Sequence, residues 1–177
     1  MKKPTLFVFS GLPGTGKSTL AKRLAIETGA VYIRIDTVEQ ALRDLCHQEV
    51  EGEGYRLSYR VAADNLKLGL NVIADSCNPI ALTRIEWNEV AIHNQANLIN
   101  IEVSCSDKAE HRRRVESRLA EVPGLAHPDW ESVEAREYHP WQAVDIAIDT
   151  AHKSIEASSQ ELLNIIRVIQ TPITTSG

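Results

Sequence analysis

The sequence predicts an α/β fold, a parallel sheet with helices on both faces, and three observations predict it. Five short apolar runs alternate with segments of helical period along the chain. The first run, Thr5 to Phe9, is apolar and aromatic on consecutive positions, as a strand buried on both faces must be. No repeat or composition break interrupts the 177 residues, so one domain over residues 1–177 is expected.

Thr5 to Phe9 is strand one, ending at Ser10 and Gly11. From Lys17 the pattern turns helical, with Leu20, Leu24 and Ala25 on one face and Gly29 at the C-terminal cap. Val31 to Ile35 is β-branched and apolar, hence strand two, delivering Asp36 at its end. Thr37 to His47 and Tyr55 to Leu68 read as helices around Glu51-Gly52-Glu53-Gly54, a hinge or a substrate-facing loop. Val72 to Ala74 is strand three, with Asp75 directly after it, and a helix follows Pro79 to about Ala96.

Leu98 to Val103 is strand four. Asp107 with Glu110 resembles a capping box for a helix through Ala120, after which residues 122–129 form a Pro/Gly-bearing loop. A short helix is expected from Trp130 to about Glu137, strand five over Val144 to Ile148, and a closing helix from Ser158 to about Ile169. The polar tail at 171–177 should fray.

Bulk properties exclude several function classes. The formal charge is −5 and the one basic stretch is His111 to Arg118, which disfavours a broad grip on nucleic acid while allowing a phosphate pocket. No apolar stretch is long enough for a membrane span, and the four-residue apolar run after the N-terminal lysines is too short for a signal peptide. Cys46, Cys77 and Cys105 lack metal or redox spacing. A soluble, reducing, cytoplasmic setting is expected.

Gly11-Leu12-Pro13-Gly14-Thr15-Gly16-Lys17-Ser18 fits G-x-x-x-x-G-K-[ST] between an expected strand and an expected helix. Glycines let backbone amides turn inward around phosphate oxygens, and the helix N-terminus adds positive potential. Lys17 can reach the β- and γ-phosphates and Ser18 can ligate Mg²⁺. The nucleotide-binding set is therefore Gly11, Pro13, Gly14, Thr15, Gly16, Lys17, Ser18 and Thr19, with ATP and Mg²⁺ as cofactors.

Asp75, at the end of a strand, is the candidate to support the metal beside Ser18, its alternative being a cap for the next helix. Asp36, at the edge of the sheet where ligands bind, is either a general base or the cap of the helix at Thr37. Arg114 and Arg118 are four apart on an expected helix and share a face that a ligand can use, with residues 114–130 as a lid. The competing reading is a solvated helix paired with Glu110, Glu116 and Glu121, which is favoured for Arg112 and Arg113. The six histidines read as surface or loop material, and Trp87, Trp130 and Trp141 as packing anchors. Tyr138-His139-Pro140-Trp141 reads as packing, with pocket lining as the alternative.

In order along the chain, these residues resemble small P-loop kinases of the AAA_33 or zeta-toxin-like group, related to the kinase domain of polynucleotide 5'-kinase, chloramphenicol phosphotransferase and gluconate kinase. The carriers are Gly11 to Ser18, Arg34-Ile35-Asp36, Val72 to Asp75, Ser104-Cys105-Ser106, Arg114 with Arg118, Tyr138 to Trp141, and Ile148-Asp149-Thr150. The resemblance implies a three-layer P-loop NTPase fold with strand order 2-3-1-4-5 and transfer of the γ-phosphoryl group of ATP to a hydroxyl. It implies Asp36 as base, Asp75 at the metal, Arg114 at adenine, Arg118 at the phosphates alongside catalytic Lys17, and Thr150 to Lys153 near adenine. Polynucleotide kinases place an arginine three residues after the base; here Glu39 stands there, which argues against phosphorylated polynucleotide ends.

The expectation is therefore a kinase acting on a small hydroxyl compound. The alternatives are a kinase acting on a nucleic-acid end and a regulatory, ATP-hydrolysing module without an acceptor.

Overall fold

The computed structural model describes residues 3–119, 121–141 and 144–170. In chain order the elements are β1 (Thr5–Ser10), α1 (Lys17–Thr28), β2 (Val31–Arg34), α2 (Ile35–Cys46), α3 (Glu53–Lys67), β3 (Val72–Asp75), α4 (Ala81–His93), β4 (Asn97–Ser104), α5 (Lys108–Ser117), α6 (Trp130–Glu134), β5 (Ile146–Asp149) and α7 (Ile155–Gln170). The five strands are all parallel in the order β2-β3-β1-β4-β5. The sheet order implied by the family resemblance is thus the observed one.

Strand periodicity splits the core into two layers. Phe7, Phe9, Ile99, Ile101 and Ile148 face Leu20 and Leu24 of α1 and Leu162 and Ile166 of α7. Leu6, Val8, Val72 and Ala74 face Ala62 and Leu66 of α3 and Trp87 and Ala91 of α4. All six residues of β1 are buried, because the central strand has helices above and below it. A smaller cluster of Val115, Trp130 and Val133 joins α5 to α6 and packs on Leu12. No described helix is long and apolar enough to cross a membrane.

Several boundaries differ from the sequence reading. α2 begins at Ile35, so Asp36 lies in its first turn; the N-cap is Arg34, with no side-chain capping bond. α4 ends at His93, short of Ala96, where Gln95 takes a positive φ of 51° and the Ala96 amide turns back to the Ala91 carbonyl. α5 stops at Ser117, and only His111 and Val115 of it are buried. Arg118 follows in extended backbone, so the shared helical face expected for Arg114 and Arg118 does not exist. α6 ends at Glu134, β5 begins at Ile146, and α7 starts at Ile155, where Ser154 Oγ accepts from the Ala157 amide at 3.1 Å; Ser158 is inside the helix and buried. Ala120 and the tail at 171–177 lie outside the described residues.

Candidate active site

From Ser10 the chain enters a loop that wraps onto the N-terminus of α1. Gly11 and Gly14 have φ of 144° and 85°. A Cβ on Gly11 would lie 2.2 Å from the Val103 carbonyl oxygen, and one on Gly14 2.6 Å from Val115 Cγ2. Any side chain at either position would force the loop open.

The loop is braced from behind. Thr15 Oγ1 donates to the Leu12 carbonyl at 2.9 Å, and Thr150 Oγ1 lies 2.8 Å from the Thr15 carbonyl that it can donate to. His111 is buried and its Nε2 donates to the Pro13 carbonyl at 2.8 Å, while its ring meets Trp130 edge-on. That corrects the surface reading of this histidine: a carbonyl needs a donor, and the buried imidazole supplies it. The first turn of α1 has neither a side-chain cap nor an acid, so its positive end is left to a ligand.

A cavity of about 400 Å³ opens over this turn. Pro13, Gly14, Gly16, Lys17, Ser18, Thr19, Asp36, Arg114 and Arg118 line it. Gly11, Thr15 and Asp75 are not in its wall; the Gly11 amide is already bound to the Cys77 carbonyl at 3.2 Å. Lys17 is 7% exposed. Burial pulls its pKa down, but Cys77, Asp75 and Asp36 outweigh that and hold it above the ordinary lysine value, so the ammonium keeps its charge.

Two guanidinium groups are short of acceptors. Nε and Nη2 of Arg118 and Nε of Arg34 are buried without a hydrogen-bond partner. Burial holds the Arg118 pKa below its usual value, in the direction expected of a desolvated cation. Buried donors left unsatisfied are costly, and an anion with several oxygens fits them. Triphosphate oxygens therefore suit the cradle, Lys17, Arg34 and Arg118 together.

Asp75 is 1% exposed; its Oδ2 accepts from the Tyr32 hydroxyl at 2.6 Å and its Oδ1 has no partner. It does not cap α4, whose N-cap is Ile80. Among the described residues no three His, Cys, Asp or Glu side chains converge as a closed metal site. A hydroxyl at Ser18 and one spare carboxylate oxygen nevertheless suit Mg²⁺, which keeps waters and takes most other ligands from phosphates.

Arg114 donates to Thr150 Oγ1 at 2.8 Å and to the Thr150 carbonyl at 3.0 Å, and pairs with Glu110 at 2.5 Å. None of residues 150–153 lines the cavity. Arg112 pairs with Glu116 on the exposed side, as the solvated reading has it, whereas Glu121 leaves the helix arginines and binds Lys22 and Arg34 at 2.7 Å each. The segment Tyr138 to Trp141 lines neither this cavity nor its neighbour; Tyr138 and Trp141 hold the Arg84 guanidinium at 5.1 and 4.7 Å from their ring centroids.

Sequence reasoning missed Arg136, Cys77 and His127 as wall residues, and assigned Arg34 no role. Their only local signal was charge or position after a strand. It also missed a second cavity, of about 460 Å³, which shares Asp36, Glu39, Cys77 and Arg136 with the first.

Sheet order, strand-to-helix glycine loop and uncapped helix N-terminus together define a P-loop NTPase-type protein. More particularly, the chain belongs to the AAA_33 family, described as an AAA domain, which matches residues 6–133. It is similar in fold to a provisionally assigned kinase of Chloroflexus aurantiacus, at 22% identity and TM-score 0.70, covering 95% of this chain and 98% of that one. It is likewise similar to the APS kinase CysC of Mycobacterium tuberculosis in complex with AMPPNP and APS, at 19% identity and TM-score 0.69, covering 94% and 99%. A gluconokinase from Sinorhizobium meliloti gives 16% identity and TM-score 0.64, covering 95% of each chain. No curated protein matches the sequence.

Proposed function

We propose that the protein is a Mg²⁺-dependent phosphotransferase that moves the γ-phosphoryl group of ATP to a hydroxyl of a small molecule. The observation that carries this reading is the position of Asp36, in the wall common to the P-loop cavity and the second cavity. A base between donor and acceptor can take the hydroxyl proton as the oxygen attacks. The P–O bond to the β-phosphate breaks, ADP leaves, and the proton stays on the Asp36 carboxylate. Asp36 is not the N-cap of α2, which is Arg34, and lies in the first turn of the helix.

In this mechanism Lys17 and Arg118 hold the transferred group and neutralise its charge. Ser18 and Asp75 would hold Mg²⁺, which would supply further charge neutralisation for the transferred group. Arg114 orients the nucleotide base side from its anchor on Thr150. Residues 114–130 act as a lid on a single domain: Leu119, Glu121 and residues 125–128 already line the cavity, and closure excludes water. The similar APS kinase binds an ATP analogue, which supports ATP here. The test is a screen of hydroxyl compounds for acceptor-dependent ADP formation. Phosphate release that no hydroxyl compound stimulates would assign an ATP-hydrolysing module instead.

A further inference from the structure

The second cavity has a distinct chemistry. Ile35, Pro79, Ile80 and Leu82 give it apolar walls, and Asp36, Glu39, Glu51 and Glu86 place four carboxylates around it. Its two cations, Arg56 and Arg136, are exposed residues. Arg136 stands at the junction with the P-loop cavity, where it donates to Cys77 Sγ at 3.5 Å and repels Arg118, so its charge serves the phosphate side. Two of the acids have long ion pairs behind them, Asp36 with Arg34 Nε at 3.8 Å and Glu39 with Arg43 Nη2 at 3.6 Å, but neither Arg34 nor Arg43 lines this cavity.

Glu86 already accepts from the Tyr59 hydroxyl at 2.9 Å, whereas Glu39 is held by packing. Three residues after Asp36 on α2, it shares that residue's helix face. Its stem lies on the first turn of α3, where a Cβ on Gly54 would stand 2.2 Å from Glu39 Cγ. The glycine thus lets the two helices clamp the side chain in place. Its side chain is 20% exposed, and its Oε2 forms an ion pair with Arg43 Nη2 at 3.6 Å, too long for a strong hydrogen bond. Burial, followed by the Asp36 and Glu53 charges, raises its pKa against the opposing pull of Arg43. A positioned, partly desolvated carboxylate beside the base is repaired by a cation with donors to give.

We propose that the second cavity is the acceptor site, and that it selects hydroxyl compounds carrying an ammonium group, as amino alcohols and amino sugars do. This rests on the phosphotransferase reading. The hydroxyl is presented to Asp36 and the γ-phosphate, the ammonium group lies against Glu39, and the carbon frame packs on Ile35, Pro79 and Ile80. The hydroxyl proton passes to Asp36 and the oxygen takes the phosphoryl group, so the ammonium is unchanged. An anionic acceptor would meet the same carboxylates as repulsion.

The experiment uses the full chain loaded with AMPPNP and Mg²⁺, and three matched sets of probes. They are ethanolamine, ethylene glycol and glycolate; serinol, glycerol and glycerate; and glucosamine, glucose and gluconate. Binding is measured by calorimetry at pH 7, and transfer separately with ATP. The amine of at least one set is expected to bind roughly tenfold more tightly than its neutral partner and more tightly still than its carboxylate. Glu39→Gln should flatten that preference and Glu39→Lys reverse it. Carboxylates binding as well as amines, a preference that survives Glu39→Gln, or no binding by any probe would overturn the proposal. Amine-selective binding without transfer would support the cavity assignment and instead sink the phosphotransferase reading.

Discussion

At the scale of single residues, the proposed chemistry concentrates on Lys17, Ser18 and Asp36. Lys17→Ala removes a buried charge-assisted contact to phosphate and should abolish transfer, each 1.4 kcal/mol lost being about tenfold in rate. Near wild-type turnover of that variant at saturating ATP would count against the whole reading. Asp36→Asn keeps the shape and removes the proton acceptor, so acceptor-dependent turnover should fall by about 10² to 10⁴ while affinity for an ATP analogue stays. Glu39→Gln tests a different quantity. Because burial raises the folded-state pKa of Glu39, its protonated form favours folding, and that contribution is present at acid pH and lost as pH rises through the folded value. The amide should therefore melt higher than wild type at pH 7 and lose that advantage below about pH 4. The P-loop residues were legible because their chemistry is local: consecutive amides and one lysine make the cradle. His111, Arg34 and Arg136 were not, because their partners lie far away along the chain.

At the scale of elements, the segment after α5 is the proposed lid. Glu121 ties it to α1 and β2 through Lys22 and Arg34, both at 2.7 Å. The Lys22 hydrogen bond first, and then Arg34, hold the Glu121 pKa below the usual carboxylate value. The tie is thus fully present above the ordinary glutamate pKa of about 4.3 and is lost as pH falls through the lower folded value. Glu121 is half exposed, so the expected readout is local: hydrogen exchange over residues 121–128 should quicken in Glu121→Gln at pH 7 and differ little from wild type near pH 3. Bound ATP analogue should slow the same exchange through Arg118 and the lid. Equal protection with and without nucleotide would remove the lid from the mechanism. Helix ends explain why the sequence misplaced this element: a run of arginines looks helical by propensity, but α5 has only two buried residues, and the backbone is extended at Arg118.

At the scale of the whole molecule, stability comes from the two core layers and function from where the sheet ends. Leu162, 1% exposed between α7 and the sheet, is remote from both cavities; Leu162→Ala should cost about 2–5 kcal/mol in urea denaturation. ATP-analogue affinity of the folded fraction should be unchanged. The sequence by itself determined the alternation of strands and helices, the phosphate cradle and Asp75 at the end of β3, because all of these are written in periodicity or in adjacent residues. Tertiary structure decided which distant groups meet. Only the parallel stacking of β2, β3 and β1 brings Arg34 to Asp75 in register, and only the clamp of α2 on α3 sets Glu39 beside the second cavity. These contacts depend on the relative placement of elements far apart in the chain, and neither period nor spacing encodes that.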